Sequence, residues 1–345
     1  MQNDLQDLQE KLIQGGRPFA FWSLPGSVDW QGIAQNDTHI DLFDAQHSDG
    51  FIIKAFNDNK NIGFIRSDLR FDSENLTYKN EIESAISAST IDLPKELSKD
   101  DYLIQCTSII DSIRNNNAEK VVLSRVKKKK YDGEAALLFL RLVDAYPDAM
   151  VFLYFFKDRL WIGATPETLL KVEGDKFYTM ALAGSKASGM ETKWTNKERE
   201  EQVYVERYVD MQLKKHALEY STEGPKTINA GPIEHLCTAF RGDLISGKYL
   251  DLLNDLHPTP AVCGIPVETA KKIIEKVENH DRLDYTGFIG PVNRLAKHLF
   301  VNLRSALIAK DYMYLFLGGG ITKDSIPEEE WNETELKART LLRIL

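Results

Sequence analysis

Between residues 150 and 182 the chain carries four strand-sized runs: Met150 to Phe156, Arg159 to Gly163, Thr168 to Glu173 and Lys176 to Leu182. The gaps between them are a few residues long, which admits hairpin turns but not the helical crossovers that parallel strands need. Gly174-Asp175, between the last two runs, is itself a hairpin signal. Antiparallel sheet with helices interspersed, an α+β layered architecture, is the arrangement this spacing predicts, and 345 residues permit one large domain or two.

Flanking segments fit that frame. Tyr102 to Asn115 reads as a helix, Lys120 to Val126 as a strand, and Asn196 to Tyr220 and Pro266 to Glu278 as helices. Strands follow near Tyr285 to Pro291, Leu299 to Ala309 and Met313 to Gly318, then a C-terminal helix from Pro327. Residues 1–95 hold short aromatic-rich pieces (PFAFWSLPG, GFIIKAF, NIGFIR) between Gly, Asn and Asp turns, which predicts a meander completing the same domain ahead of a core at 96–345. No Rossmann or P-loop glycine pattern is present, and Gly318-Gly319-Gly320 reads either as a strand-end turn or as exposed amides able to grip a carboxylate.

A net charge of −9 argues against nucleic acid as a partner. The basic run Lys127 to Lys130 reads as a solvated strand end. No apolar stretch is long enough to span a bilayer, and MQNDLQDLQEKL has neither the basic nor the apolar part of a signal peptide. Cys106, Cys237 and Cys263 lack metal-ligand spacing, as expected of buried free thiols in a reducing cytoplasm.

Two acidic pairs stand out. Glu198 and Glu201 fall on the helical face that carries Val205, Val209 and Leu213; Glu330 and Glu333 border the face of Trp331, Ala338 and Leu342. Carboxylates beside a core need a partner, and a divalent cation between the two helices would provide one. Capping is the plainer reading of either pair alone, since Ser325 and Glu328 have capping-box spacing. Taken singly, Lys120 reads as a surface lysine, Glu167 as a turn glutamate and His257 as a structural histidine; Arg304, placed mid-strand among apolar neighbours, needs an anionic partner.

In order along the chain, GATPETLL, ALAGS, HPTPAVCGIP, the run ending at Arg304, GGGIT and PEEEWNETELKA resemble the chorismate-utilising enzymes from about residue 100 to the C-terminus. The resemblance implies a single large domain in which a helix-covered antiparallel sheet system cradles chorismate and Mg²⁺ in a central cleft. It assigns Glu201 and Glu330 to the metal, with Glu198 and Glu333 adjoining. It places Arg304 and Lys337 on substrate carboxylates, and Ser185, His257, Tyr285, Gly318 and Gly319 among the substrate-lining positions. Family members that make aminodeoxychorismate carry a nucleophilic Lys where this chain has Ala183, and anthranilate synthases carry Gln where it has Lys120.

Water is then the implied nucleophile. Lys120 would be the general base and Glu167 the general acid of an isochorismate synthase, an isomerase of the hydroxymutase type. The product would serve menaquinone biosynthesis, with siderophore biosynthesis the other route. The alternatives are salicylate synthase, which goes on to eliminate pyruvate; anthranilate synthase component I; and a non-catalytic chorismate-binding module. A cytoplasmic monomer needing no protein partner, membrane or nucleic acid completes the expectation.

Overall fold

The computed structural model describes residues 2–44, 49–58, 61–76, 92–115, 118–189 and 193–345. In chain order the elements are α1 (Gln2–Gln14), β1 (Phe19–Ser23), β2 (Gln31–Ala34), β3 (Asp41–Leu42), β4 (Gly50–Lys54), β5 (Gly63–Arg66), β6 (Leu69–Asp72), α2 (Lys99–Arg114) and β7 (Lys120–Lys130). Next come α3 (Ala135–Ala145), β8 (Met150–Phe156), β9 (Arg159–Thr165), β10 (Thr168–Glu173), β11 (Lys176–Ala187), α4 (Asn196–His216), β12 (Ala217–Ala230) and β13 (Ile233–Leu244). The chain closes with α5 (Tyr249–Leu256), β14 (Gly264–Ile265), α6 (Val267–Val277), β15 (Phe288–Val292), β16 (Ala296–Val301), β17 (Ser305–Ala309), β18 (Tyr312–Thr322) and α7 (Pro327–Leu342).

Among the described residues the strands form two antiparallel sheets of nine, ordered β14-β7-β18-β17-β9-β8-β1-β2-β6 and β12-β13-β11-β10-β16-β15-β4-β5-β3. Central strands of the first sheet are buried on both faces, and their side chains sort by the two-residue period. Val151, Leu153 and Phe155 of β8 pack on α1, α3 and α7, whereas Phe152 and Tyr154 point the other way. They meet Phe51 and Phe300 of the second sheet in an aromatic core between the sheets. Helices α4 and α5 cover the outer face of the second sheet through Val205, Val209, Leu213, Leu252 and Leu256.

Several expectations change here. The first 95 residues do not form one meander: β1, β2 and β6 join the first sheet and β3, β4 and β5 the second, after a helix. The strand expected over Leu299 to Ala309 is two strands in different sheets, so Arg304 lies in the crossing between them with φ at +51° rather than mid-strand. The 318–320 glycines lie within β18 and pair with Val122, Leu123 and Ser124 of β7; they are not a turn. The Ser325 and Glu328 capping box is absent: the Ser325 hydroxyl accepts from the Thr322 amide, and Pro327 opens the helix. The polar turn before Lys120 falls partly at residues 116–117, outside the described residues.

Phe152 fills the space between sheets without exposure. Phe152→Ala should cost about 3–5 kcal/mol, read as a fall in the urea midpoint with little change in slope.

Candidate active site

The cleft forms where the two sheets part. Twice the chain leaves one sheet for the other at this point. After β9 it passes through Pro166 and Glu167 into β10, and after β16 through Asn302 to Arg304 into β17. The crossings are stitched together: the Val301 amide donates to the Glu167 carbonyl at 3.0 Å, and the Ala164 amide donates to the Arg304 carbonyl at 3.3 Å. Beside them β18 runs on past β17, whose last partner is Phe316, so among the described residues the strand from Gly318 onward has a free edge. The Lys337 ammonium donates to the Gly318 carbonyl there at 2.8 Å.

The resulting cleft is lined by Lys120, Glu167, Ala183, Ser185, Glu201, His235, Tyr285, Arg304, Gly318, Gly320, Glu333 and Lys337, among others. Side-chain absence opens it. A Cβ on Gly320 would lie 2.7 Å from Lys120 Cε and 2.8 Å from a Glu201 oxygen; one on Gly318 would lie 2.9 Å from the Tyr285 hydroxyl. Of the residues expected to bind substrate, Ser185, Tyr285, Arg304, Gly318 and Lys337 face this space. Gly319 and His257 do not. Gly319 faces Tyr102 and Glu330 on the other side of its strand. The His257 ring lies in a separate groove, with Nε2 at 3.0 Å from the Thr286 carbonyl and its ring against Phe288. It bears on the cleft only by holding Thr286.

His235 is the histidine of the cleft, and sequence reasoning passed over it. Its Nδ1 is 2.7 Å from the Gly184 carbonyl and its Nε2 is 2.9 Å from the Arg304 guanidinium, so Nδ1 carries the proton and Nε2 accepts. Burial, then the neighbouring Arg304, pushes its pKa down to about 3, keeping the ring neutral. Arg304 also donates to Thr340 at 2.9 Å and, among the described residues, makes no ion pair; burial pushes its pKa down to about 10 against the pull of Tyr285 and Glu333. A buried guanidinium without a counter-anion is a place for an anionic ligand. A β13 histidine at HLCTAF, one residue off its apolar neighbours, offered little signal beyond its type.

Glu167 is fully buried, and burial pushes its pKa up to about 8 against the pull of Lys120 and Lys337. It therefore holds a proton at neutral pH. Lys120, 2% exposed, sits 3.2 Å from Glu201. Lys337 sits 2.6 Å from Glu333. Burial tends to raise the Glu333 pKa, but Lys337 and then Lys197 outweigh it and hold the carboxyl well below its usual range. Burial and the Glu333 charge push Glu330 upward, and Lys197 ion-pairs with it.

The metal assignments divide. Glu198 turns back to the start of α4, where the Thr195 amide donates to it at 2.8 Å in a capping box, and it is not part of the cleft lining. Glu201 and Glu333 line the cleft; Glu330 lies buried just behind it. Among the described residues no three His, Cys, Asp or Glu side chains converge as a metal cluster. The donors still suit magnesium, which binds through one or two carboxylates and takes its other ligands from water and substrate. The Oε2 of Glu330 lies near the Tyr102 hydroxyl on the Gly319 side of β18, behind the cleft wall.

A cleft with a buried proton donor, a lysine facing it and unpaired guanidinium at its wall defines a site for a small anionic molecule. The comparisons give that class its name. The sequence matches chorismate binding enzyme over residues 18–345, and the chain belongs to that family. It is 30% identical to isochorismate synthase MenF of Bacillus subtilis over 291 residues, covering 78% of this chain and 59% of that protein. It is 31% identical to isochorismate synthase EntC of Escherichia coli over 242 residues, covering 66% of this chain and 62% of that protein. The chain thus spans about three fifths of the length of these relatives. The fold matches that of DhbC from Bacillus anthracis with a TM-score of 0.81 at 22% identity, over 100% of this chain and 99% of that one.

The Glu167 environment has a consequence for stability. Its folded pKa of about 8 lies above the unfolded value of 4.5, so the stabilising protonated form is complete below pH 4.5 and is lost as pH rises through about 8. Glu167→Gln should match the wild type at pH 5 and melt several degrees higher at pH 9, where the buried charge costs the wild type a few kcal/mol. Parallel melts across pH would show it.

Proposed function

We propose that the protein is an isochorismate synthase, converting chorismate to isochorismate by adding water at C2 with loss of the C4 hydroxyl. The observation that carries this reading is a buried acid protonated at neutral pH sharing one cleft with Lys120, on a wall where position 183 is alanine. Glu167 has the proton that a departing hydroxyl needs. Lys120, 3.2 Å from Glu201, is the amine placed to take one from water. Ala183 brings no nucleophile of its own, so the cleft favours solvent as reagent. Arg304, held in place by His235 and Thr340, would take one substrate carboxylate, and Lys337 would face another; Ser185, Tyr285 and the Gly318 backbone would shape the ring's surroundings.

Glu201 and Glu330, with Glu333 adjoining, would hold Mg²⁺. When bound, that ion supplies positive charge against a substrate carboxylate and the charge that develops near it. Use of the product in menaquinone biosynthesis, by a cytoplasmic monomer, belongs to the same reading and rests on the resemblance alone.

Incubation with chorismate, Mg²⁺ and ammonia tests the proposal. Isochorismate without pyruvate supports it; salicylate with equimolar pyruvate, anthranilate, or no turnover overturns it in favour of the corresponding alternative. Lys120→Ala and Glu167→Gln should each lower turnover by roughly 10²–10⁴-fold, and wild-type rates in either would remove that residue from the chemistry. His235→Ala should raise KM more than it lowers kcat, because the histidine acts through Arg304 on binding.

A further inference from the structure

Three carboxylates at the cleft are each matched by one ammonium: Glu201 by Lys120, Glu333 by Lys337 and Glu330 by Lys197. Two of these lysines line the cleft and face where substrate would lie. Lys197 does not. It projects from the first turn of α4 across to α7, and its side chain is 27% exposed while that of Glu330 is 1% exposed. It holds one oxygen of Glu330 and lies within the field of Glu201 and Glu333 as well.

From this geometry, and resting on the magnesium reading above, we infer that Lys197 is a tethered counter-cation: it neutralises Glu330 until a divalent ion arrives and competes with that ion for the carboxylate. A carboxylate this buried is strongly destabilising when left alone, so a metal-free site needs a stand-in charge. An ammonium serves, because its stem can lie along the helix and its head can return to water when displaced. A partly exposed lysine at the end of a helix can make that move; the buried Lys120 cannot. Metal binding is then an exchange of one cation for another, and Lys197 sets its affinity.

Mn²⁺, followed by EPR titration of the metal-free protein without substrate, provides a readout independent of turnover. Lys197→Met should bind Mn²⁺ about tenfold or more tightly than the wild type, the order expected on removing a close competing charge. Lys197→Arg, which keeps the charge, should stay near the wild type. If Lys197→Met folds poorly, Lys197→Gln is held to the same expectation. Equal or weaker binding by the neutral variants overturns the inference while leaving the metal reading standing. Absence of Mn²⁺ binding in wild type and variants alike overturns both.

Discussion

Everything at the site depends on two sheet-to-sheet crossings being hydrogen-bonded to each other. Each crossing must break its strand, and a broken strand leaves backbone groups that a buried position cannot leave unpaired. Here each break satisfies the other, through the Glu167 and Arg304 carbonyls. The residues at the breaks are therefore held by backbone, not by side-chain fit. That places an acid and a guanidinium on opposite turns of the same seam, rigidly, before any ligand arrives.

Charge balance follows from that rigidity. Among the described residues Glu201, Glu330 and Glu333 each have an ion-pair partner and Glu167 has none, so burial pushes Glu167 toward its neutral form. Its neighbours Lys120 and Lys337 are engaged with Glu201 and Glu333, so they moderate its protonation without abolishing it. One acid stays protonated and one stays charged because Glu167 is buried without an ion pair, whereas the half-buried Glu333 is held by Lys337.

Much of this was legible in the sequence. The runs at Met150–Phe156 and Thr168–Glu173 have the predicted bounds, because strands buried on both faces read as plain apolar runs. The face of Val205, Val209 and Leu213 is buried as its spacing required. Strand β12 escaped notice because it lies largely exposed at a sheet edge and shows no alternation. Helix α3 could have been found, since Ala135, Leu138, Phe139 and Leu142 recur at helical spacing. Other features were beyond local reading. Whether a strand changes sheets at Arg304, or which of His235 and His257 reaches the cleft, depends on contacts between segments far apart in sequence. Glu198 and Glu201 share their spacing, and only the cap at Thr195 separates a helix-end device from a cleft-lining acid.

The free edge of β18 sets a limit on how such a cleft can diversify. At Gly318 and Gly320 the wall is main chain, and any added side chain would run into Tyr285, Lys120 or Glu201. That half of the cavity has no adjustable surface. New reactivity in this architecture has to be written on the facing sheet, at positions such as Ala183, where a longer side chain has open space to enter.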